Sequence, residues 1–450
     1  MALSGIQIYK LLPQTNCKEC GFPTCLAYAM KLAAKQVELS ACPYVSEKSK
    51  AQLAESAAPP IRLVTLKSKG GEVKVGNEVV LFRHEKTFYN RPGVFLQVRD
   101  DEPVEGLKEK ITTAEAYKVT YVGIDLTLDG FAIESTGDGV RFAAAVKAVR
   151  EVSQRPLILV GRDPTVLSAG LQVLNGEHPL IHGADATNWE AMAALAKQHQ
   201  TALGVIASNL DDLAALTEKI KGKEVEDLVL DPAQRTLGTS LVLNTQIRRL
   251  ALKNYRPLGH PAIVFAGKNQ AGAPSPVDPI QQGMVAAQAI AKYAGFVVLD
   301  AFVPEVVYPL LVLRQNIYTD PQKPIQVQPG LYEINAPKPD SPVLVTTNFS
   351  ITYFSVANEV EGSGLPAWLL VADAEGMSVL TAWAAGKFDA DRIAKAVNGF
   401  VADKVNRKRI VLPGHVAVLS GEVEEALPGW EVKVGPREAV DIPAFMKQVL

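Results

Sequence analysis

No cysteine occurs after position 42 in this chain of 450 residues. That absence excludes a disulfide framework spread through the fold and concentrates the thiol chemistry at one end. An excess of charge of either sign is also missing, since 46 Lys and Arg stand against 48 Asp and Glu for a formal charge of -2. Nucleic-acid binding needs a basic face, so no such partner is expected. The most apolar later stretch, 296–313, is interrupted by Asp300, Pro304, Glu305 and Pro309, which leaves it short of the roughly 20 unbroken apolar residues of a membrane span. The opening string MALSGIQIYKLLPQTNC has neither the basic start nor the long apolar core of a secretory signal. A cytoplasmic protein without a membrane partner is therefore expected. What remains is ordinary globular usage, 48% hydrophobic and 21% charged, in a chain long enough for several cores.

The four cysteines, Cys17, Cys20, Cys25 and Cys42, follow the pattern C-x2-C-x4-C-x16-C-P. Such crowding marks one local site, and two readings compete for it. Structural zinc usually faces two C-x2-C knuckles against each other, whereas here one pair is followed by a lone Cys25 and a distant Cys42. A compact loop around a low-potential 4Fe-4S cluster suits the spacing better, and the Cys42-Pro43 step recurs in iron–sulfur ligation. Zinc or free thiols are the alternative. Leu26, Ala29, Met30, Ala33 and Val37 recur at helical spacing, predicting a helix with one apolar face that returns the chain to Cys42. Tyr28 and Met30 are read as core packing.

After Ser56-Ala57-Ala58-Pro59-Pro60, strands over 61–67, 72–75 and 78–83 read as a small antiparallel meander covering one end of the next domain. From Val94 onward eight apolar strands alternate with helical stretches: VFLQV (from Val94), VTYVGID (Val119), LILVG (Leu157), LIHGAD (Leu180), ALGVIAS (Ala202), DLVLDP (Asp227), AIVFAG (Ala262) and FVVLDA (Phe296). Eight such units predict a closed TIM-type (β/α)8 barrel. Helices are expected over 138–150, 189–198, 241–253 and 279–293. The segment 320–342, with Pro321, Pro324, Pro329, Pro337, Pro339 and Pro342, reads as a stiff extended linker. Beyond it, strands over 343–347, 367–372, 409–412 and 430–434 alternate with helices near Tyr353 and over 378–385 and 389–397, which predicts a small open parallel sheet of Rossmann-like type. The fold class is thus multidomain α/β: a cluster domain over 1–58, a barrel with its meander over 59–320, a linker over 321–342 and an α/β domain over 343–450.

Ligands of open α/β sheets bind at the carboxyl ends of the strands. The candidates there are Thr346, Thr347 and Asn348 after the first strand, then Leu370, Val371, Ala372, Asp373, Gly376, Met377 and Ser378 on and after the second. Gly414 follows the third strand, and Gly435 and Pro436 the fourth. Helix caps and turns use the same residue types, so a purely structural role is the competing reading. No G-x-G-x-x-G follows a strand, which argues against a dinucleotide.

The string NCKECGFPTC at 16–25 with Cys42-Pro43, joined by VTTNFS, VADAEGMS and LSGEVEEALPGWEVKVGP near the C-terminus, resembles the large subunit of the corrinoid iron-sulfur protein of acetyl-CoA synthesis. The resemblance spans the whole chain. It implies a heterodimer with a smaller barrel subunit, a 4Fe-4S cluster on the four cysteines and a cobamide on the C-terminal residues named above. It further implies a methyl carrier of anaerobic carbon fixation more than a stand-alone enzyme. In that family cobalt as Co(I) accepts a methyl group from methyltetrahydrofolate through a separate methyltransferase and delivers it to acetyl-CoA synthase/CO dehydrogenase. The cluster, fed by a ferredoxin-type donor, returns the electron lost whenever Co(II) forms. The chain has no D-x-H-x-x-G string, and His415, the one histidine of the C-terminal domain, reads as a loop or surface residue. The resemblance accordingly implies a base-off cobamide with no protein axial ligand.

Two other functions compete. The barrel could be a folate-binding methyltransferase, using Asp125, Asp185, Asn209, Asp231, Asn269 or Asp300 at its mouth. Alternatively the chain could be a non-corrinoid iron–sulfur electron carrier. The barrel is read as scaffold and docking surface.

Overall fold

The computed structural model describes all residues except 1–2, 35, 51–52, 54–57, 234, 268–277 and 321–323. The expected mouth residue Asn269, and Ser56, Ala57 and Pro321 of the two expected boundaries, lie outside the described residues. The chain divides into two compact units, Met1–Val119 with Thr127–Tyr318, and Thr120–Leu126 with Thr319–Leu450.

In the first unit, β1 (Val64–Ser68) and β2 (Gly71–Val75) form an antiparallel hairpin. β3 (Gly93–Arg99) opens a closed barrel. The chain then makes a separate two-stranded ladder, β4 (Val119–Tyr121) and β5 (Ile124–Leu126), before the barrel resumes. Its remaining strands are β6 (Gly130–Glu134), β7 (Leu157–Val160), β8 (Leu180–Ala184), β9 (Ala202–Ile206), β10 (Leu228–Asp231), β11 (Ala262–Phe265) and β12 (Ala294–Leu299). All eight barrel strands run parallel, and β12 closes on β3. Because helices cover the outside and side chains fill the inside, the strands are largely apolar on both faces, with the buried Gln97, His182 and Asp231 as polar exceptions. Phe95, Ala132, Ile158, Leu180, Val229, Ile263 and Phe296 share one interior cluster. The Phe95 and Phe296 rings meet edge to face at 5.9 Å, with the small Ala132 and Ala202 in the same layer of packing.

The hairpin contributes Val64, Leu66, Val73 and Val75 to that cluster, each such burial worth about 1.5–3 kcal/mol. Its backbone is tied on by Arg62 N–H to Gly259 O (2.9 Å), Gly70 N–H to Gln154 O (2.8 Å) and Lys67 N–H to His178 O (3.0 Å). Each acceptor precedes a barrel strand, so the hairpin plugs the amino end.

Two expected strands are corrected. VTYVGID at Val119 is not a barrel strand: Val122 and Gly123 take left-handed φ of 44° and 80° and fold the run into β4 and β5. A Cβ at Gly123 would also stand 2.9 Å from the Phe354 ring. The second barrel strand is the shorter GFAIE of β6. The third strand of the meander, over 78–83, does not form. Glu78 is buried there instead, and its Oε1 accepts the N–H groups of Tyr89 (2.9 Å) and Asn90 (3.0 Å).

The second unit is a five-stranded sheet of β13 (Gly330–Ile334), β14 (Val343–Thr347), β15 (Ala367–Ala372), β16 (Arg409–Leu412) and β17 (Glu431–Val434), in the order β13-β15-β14-β16-β17. Four strands are parallel as expected, but β13 pairs antiparallel with β15. The segment expected as an extended linker therefore carries an edge strand, formed by the proline-free GLYEI between Pro329 and Pro337. Successive residues of the central strands face opposite cores. Val343, Val345, Leu370 and Ala372 pack with Phe388, Ile393 and Val397. Leu344, Leu369 and Val371 pack with Val360, Ile442 and Met446. Helices on both faces make this a doubly wound unit, and its last helix, Ile442–Val449, was not anticipated. Among the described residues no helix is long and apolar enough to cross a membrane.

Inside the barrel, Asp231 is fully buried, held by Arg235 through two contacts of 2.8 Å and by His182 Nε2 at 3.0 Å. Burial alone would raise its pKa, but Arg235 and His182 reverse that and hold the carboxyl well below the usual range. Arg235→Met is expected to cost about 3–5 kcal/mol in urea unfolding, because it strands a buried charge. A carboxyl with a depressed folded pKa contributes stability above the unfolded value of about 4 and loses it as pH falls. The deficit of the variant should thus be largest at pH 7 and shrink below about pH 4. Stability curves that run parallel over that range would contradict the assignment.

Candidate functional site

The cysteine loop is shaped by its backbone. Gln14, Asn16, Lys18 and Gly21 all adopt left-handed φ (59°, 48°, 67° and 81°), which curls the chain within a few residues. Asn16 closes the curl, its Oδ1 accepting the Cys25 N–H at 2.8 Å. Cys25 opens the helix Cys25–Ala33, capped by the Thr24 hydroxyl, which accepts from Ala27 N–H at 3.1 Å. Backbone N–H groups at that end favour a negatively charged ligand.

The helix face differs from the expected one. Cys25, Tyr28 and Ala29 are buried, while Leu26 and Met30 are 41% and 46% exposed, because packing follows the side that carries the cysteine. The helix ends at Ala33, short of Val37, and a single turn at Leu39–Ala41 delivers Cys42. Cys17 is exposed, Cys20 half-buried, and Cys25 and Cys42 buried. Cys20, Cys25 and Cys42 pack in one small apolar cluster with Ile8, Leu12, Tyr28 and Val45.

Burial pushes the Tyr28 hydroxyl up to about 12, and Cys42 and Cys20 add to the rise. The hydrogen bond to Glu19 raises Tyr44, with smaller additions from Cys17 and Cys42. Tyr28 also shares its helix with Cys25. Four thiol donors around a tightly curled loop, two of them shielded from water, fit an iron–sulfur cluster. Among the described residues no three His, Cys, Asp or Glu side chains converge on a single ion. The fit rests on the donor set, the loop and its burial.

In the second unit a cavity of about 310 Å³ opens at the carboxyl ends of β14 and β16. Its walls are largely apolar, including Leu344, Val345, Ile351, Val379, Leu380 and Ile442. Of the residues expected from sequence, Thr346, Ser378, Gly435 and Pro436 line it. The hydroxyls of Thr346, Thr347 and Ser350 are buried without a partner among the described residues. The helices Ser350–Gly362 and Val379–Ala384 begin here with no side-chain cap. A polar cofactor edge can use such hydroxyl and N–H groups.

The other expected residues support the cavity. Asn348 Oδ1 accepts from Ala374 N–H (2.9 Å) and Gly376 N–H (3.0 Å), and its Nδ2 donates to Asp373 Oδ1 (3.1 Å). Its side chain is spent on holding the turn that leads to Ser378. Gly376 takes φ +74°, where a Cβ would fall 2.6 Å from Gln326. Met377 packs on the core, and Leu370, Val371 and Ala372 are fully buried within β15. Gly414 ties two loops together, its N–H donating to Pro436 O at 3.0 Å.

Sequence reasoning missed Ile351, Thr352, Ser355 and His415, all of which line the cavity. The first three form one face of the helix after β14, a spacing that could have revealed them. His415 is exposed, as expected of a loop or surface residue, and it also stands on the cavity wall, its Nε2 3.8 Å from Glu438 Oε1.

The described residues expected at a folate-binding barrel mouth have protein partners. Asp231 is taken up as described. Asp185 accepts from Thr187 N–H at 2.8 Å and pairs with Arg162 at 3.2 Å. Asn209 caps a helix through Asp212 N–H at 2.9 Å, and Asp300 accepts from Gln97 at 3.0 Å. Asp125 lies in β5, outside the barrel, and accepts from the Thr120 hydroxyl at 2.8 Å.

Residues 63–446 match the family described as CO dehydrogenase/acetyl-CoA synthase delta subunit, and residues 12–44 the family described as putative Fe-S cluster. The chain is 44% identical to the corrinoid/iron-sulfur protein large subunit of Moorella thermoacetica, over 99% of each chain. It is 35% identical to the gamma subunits of the acetyl-CoA decarbonylase/synthase complexes of Methanopyrus kandleri and Archaeoglobus fulgidus, in each case over 99% of this chain and 98% of the other.

Thr347→Val replaces an unpartnered, fully buried hydroxyl by a group of the same shape. The ligand-free variant should unfold in urea at a stability equal to wild type or up to about 1–2 kcal/mol higher. A loss of more than about 1 kcal/mol would show that the hydroxyl has a protein partner.

Proposed function

Because the chain belongs to the family of corrinoid/iron-sulfur protein large subunits, we propose that it is the methyl carrier of acetyl-CoA synthesis, with a cobamide at the C-terminal cavity and a 4Fe-4S cluster on the N-terminal cysteines. When bound, the cobamide supplies the cobalt that carries the methyl group, and the cluster supplies a low-potential electron to restore it. Cys17, Cys20, Cys25 and Cys42 provide the thiolates. Thr346 offers its hydroxyl to the polar edge of the cobamide, and Ser378, whose hydroxyl donates to Thr381 Oγ1 at 3.0 Å, offers an acceptor, while Ile351, Val379 and Leu380 give its ring an apolar bed.

The observation that carries this reading is the pairing, in one chain, of a four-cysteine loop with two buried thiols and an apolar-walled cavity bordered by the unpartnered Thr346 hydroxyl. The barrel, with its expected mouth carboxylates already paired, serves as scaffold and docking surface. The same reading assigns a heterodimer with a smaller subunit, a methyltetrahydrofolate methyltransferase and acetyl-CoA synthase/CO dehydrogenase as methyl partners, a ferredoxin-type donor, and a cytoplasmic location. The cobamide is base-off and without a protein axial ligand, in keeping with a chain that has no D-x-H-x-x-G string.

Two measurements test this. Each of Cys17→Ser, Cys20→Ser, Cys25→Ser and Cys42→Ser should lose or convert the cluster in iron and sulfide analysis, and a full cluster in any one removes that residue from the ligand set. Electron paramagnetic resonance of the Co(II) form should show no axial nitrogen splitting. Clear nitrogen coupling, whether from the lower base or from a histidine, would contradict the base-off reading.

A further inference from the structure

Tyr28 follows Cys25 by three residues on one helix, so the two side chains share a face. Its side chain is 1% exposed, yet its hydroxyl donates to Glu38 O at 2.8 Å, with Leu39 O a second acceptor at 3.1 Å. Those two residues open the turn that delivers Cys42, whose own N–H closes on Leu39 O at 3.2 Å. Phe22, between Cys20 and Cys25, tilts against the Tyr28 ring at 5.7 Å. The single phenol thereby meets the loop of Cys20, the helix of Cys25 and the turn of Cys42. A second tie between helix and returning chain, Lys31 Nζ to Gln36 Oε1 at 2.9 Å, is exposed and correspondingly weak.

We propose that Tyr28 is a positioning residue for the cluster ligands, holding Cys42 against Cys25 through its hydroxyl and sealing that side from water with its ring. The proposal rests on the reading of the cysteines as cluster ligands. Solvent access and hydrogen bonding around thiolate sulfurs set the potential of an iron–sulfur centre. A residue that fixes both, without touching a sulfur, tunes the centre through the ligands it places.

The experiment uses Tyr28→Phe in the full chain, which keeps the ring and removes the hydroxyl. Tyr44→Phe, whose hydroxyl donates to Glu19 on the surface, is the comparison. In the reduced, metal-free chain, alkylation of Cys42 by iodoacetamide is timed against Cys17, the exposed internal reference. Tyr28→Phe should speed Cys42 by about 3- to 10-fold, the worth of one hydrogen bond, with Cys17 and the melting midpoint unchanged. Tyr44→Phe should leave Cys42 as in wild type. After reconstitution, Tyr28→Phe should retain iron but show a reduction potential shifted upward, as water gains access to the site. Cys42 protection and a potential both equal to wild type would overturn the proposal, and so would global unfolding, since a positioning role predicts a local change. A wild-type chain that takes up no iron and sulfide would refute the cluster reading, while the alkylation rates would still decide whether Tyr28 fixes Cys42.

Discussion

A parallel sheet covered on both faces has only the ends of its strands for polar chemistry, because any unpaired polar group further in is costly. Both sheets of this chain obey that constraint, with opposite outcomes. In the barrel, strand-end groups are consumed internally: Asp231 by Arg235 and His182, Asp300 by Gln97. In the C-terminal sheet, Thr346, Thr347 and Ser350 stand buried at the end of β14 with no hydrogen-bond partner among the described residues. The contrast, more than the fold type, favours the C-terminal sheet as the site of the proposed cofactor, since barrels and doubly wound sheets each host many unrelated functions.

The two proposed cofactors ask for different surroundings, and the chain has two different kinds of structure to offer them. Thiolate ligands must converge from several directions, which a curled loop closed by Asn16 and a capped helix start can do and a flat sheet cannot. A large planar ring needs an apolar bed with hydrogen-bonding groups at its edge. Ile351, Val379 and Leu380, with Thr346 and Ser378 beside them, provide that at the carboxyl ends of the strands. The intervening turn is held by Asn348, which satisfies two N–H groups at once.

Much of this was legible in the sequence, and the misses have physical causes. Seven barrel strands stood out because doubly buried strands are short apolar runs. The eighth was misplaced because VTYVGID is the longer apolar run, and its turn depends on left-handed backbone at Val122 and Gly123 that apolarity alone does not reveal. Prolines on either side hid β13, since edge strands tolerate them at their flanks. The buried face of the Cys25 helix was misread because hydrophobic spacing favoured Leu26 and Met30, whereas packing around the cysteines decided it. At the cavity, glycines and hydroxyls after strands pointed to the carboxyl end of the sheet, where the cavity opens, but spacing could not tell Thr346, which lines the cavity, from Asn348, which braces it. His415 was passed over because a lone loop histidine gives no periodic signal.

The central claim is that the C-terminal cavity, and no part of the barrel, holds the cobamide. Ser355 is exposed on the cavity wall, so Ser355→Trp would fill the cavity from its helix without disturbing the core beneath. The decisive measurement is the amount of corrinoid retained per full-length chain, read from its visible absorbance after reconstitution and gel filtration, for wild type and this variant. The account predicts that wild type retains about one corrinoid per chain and that Ser355→Trp retains little, with iron content unchanged. Equal retention by the two chains would place the cofactor elsewhere and contradict the account.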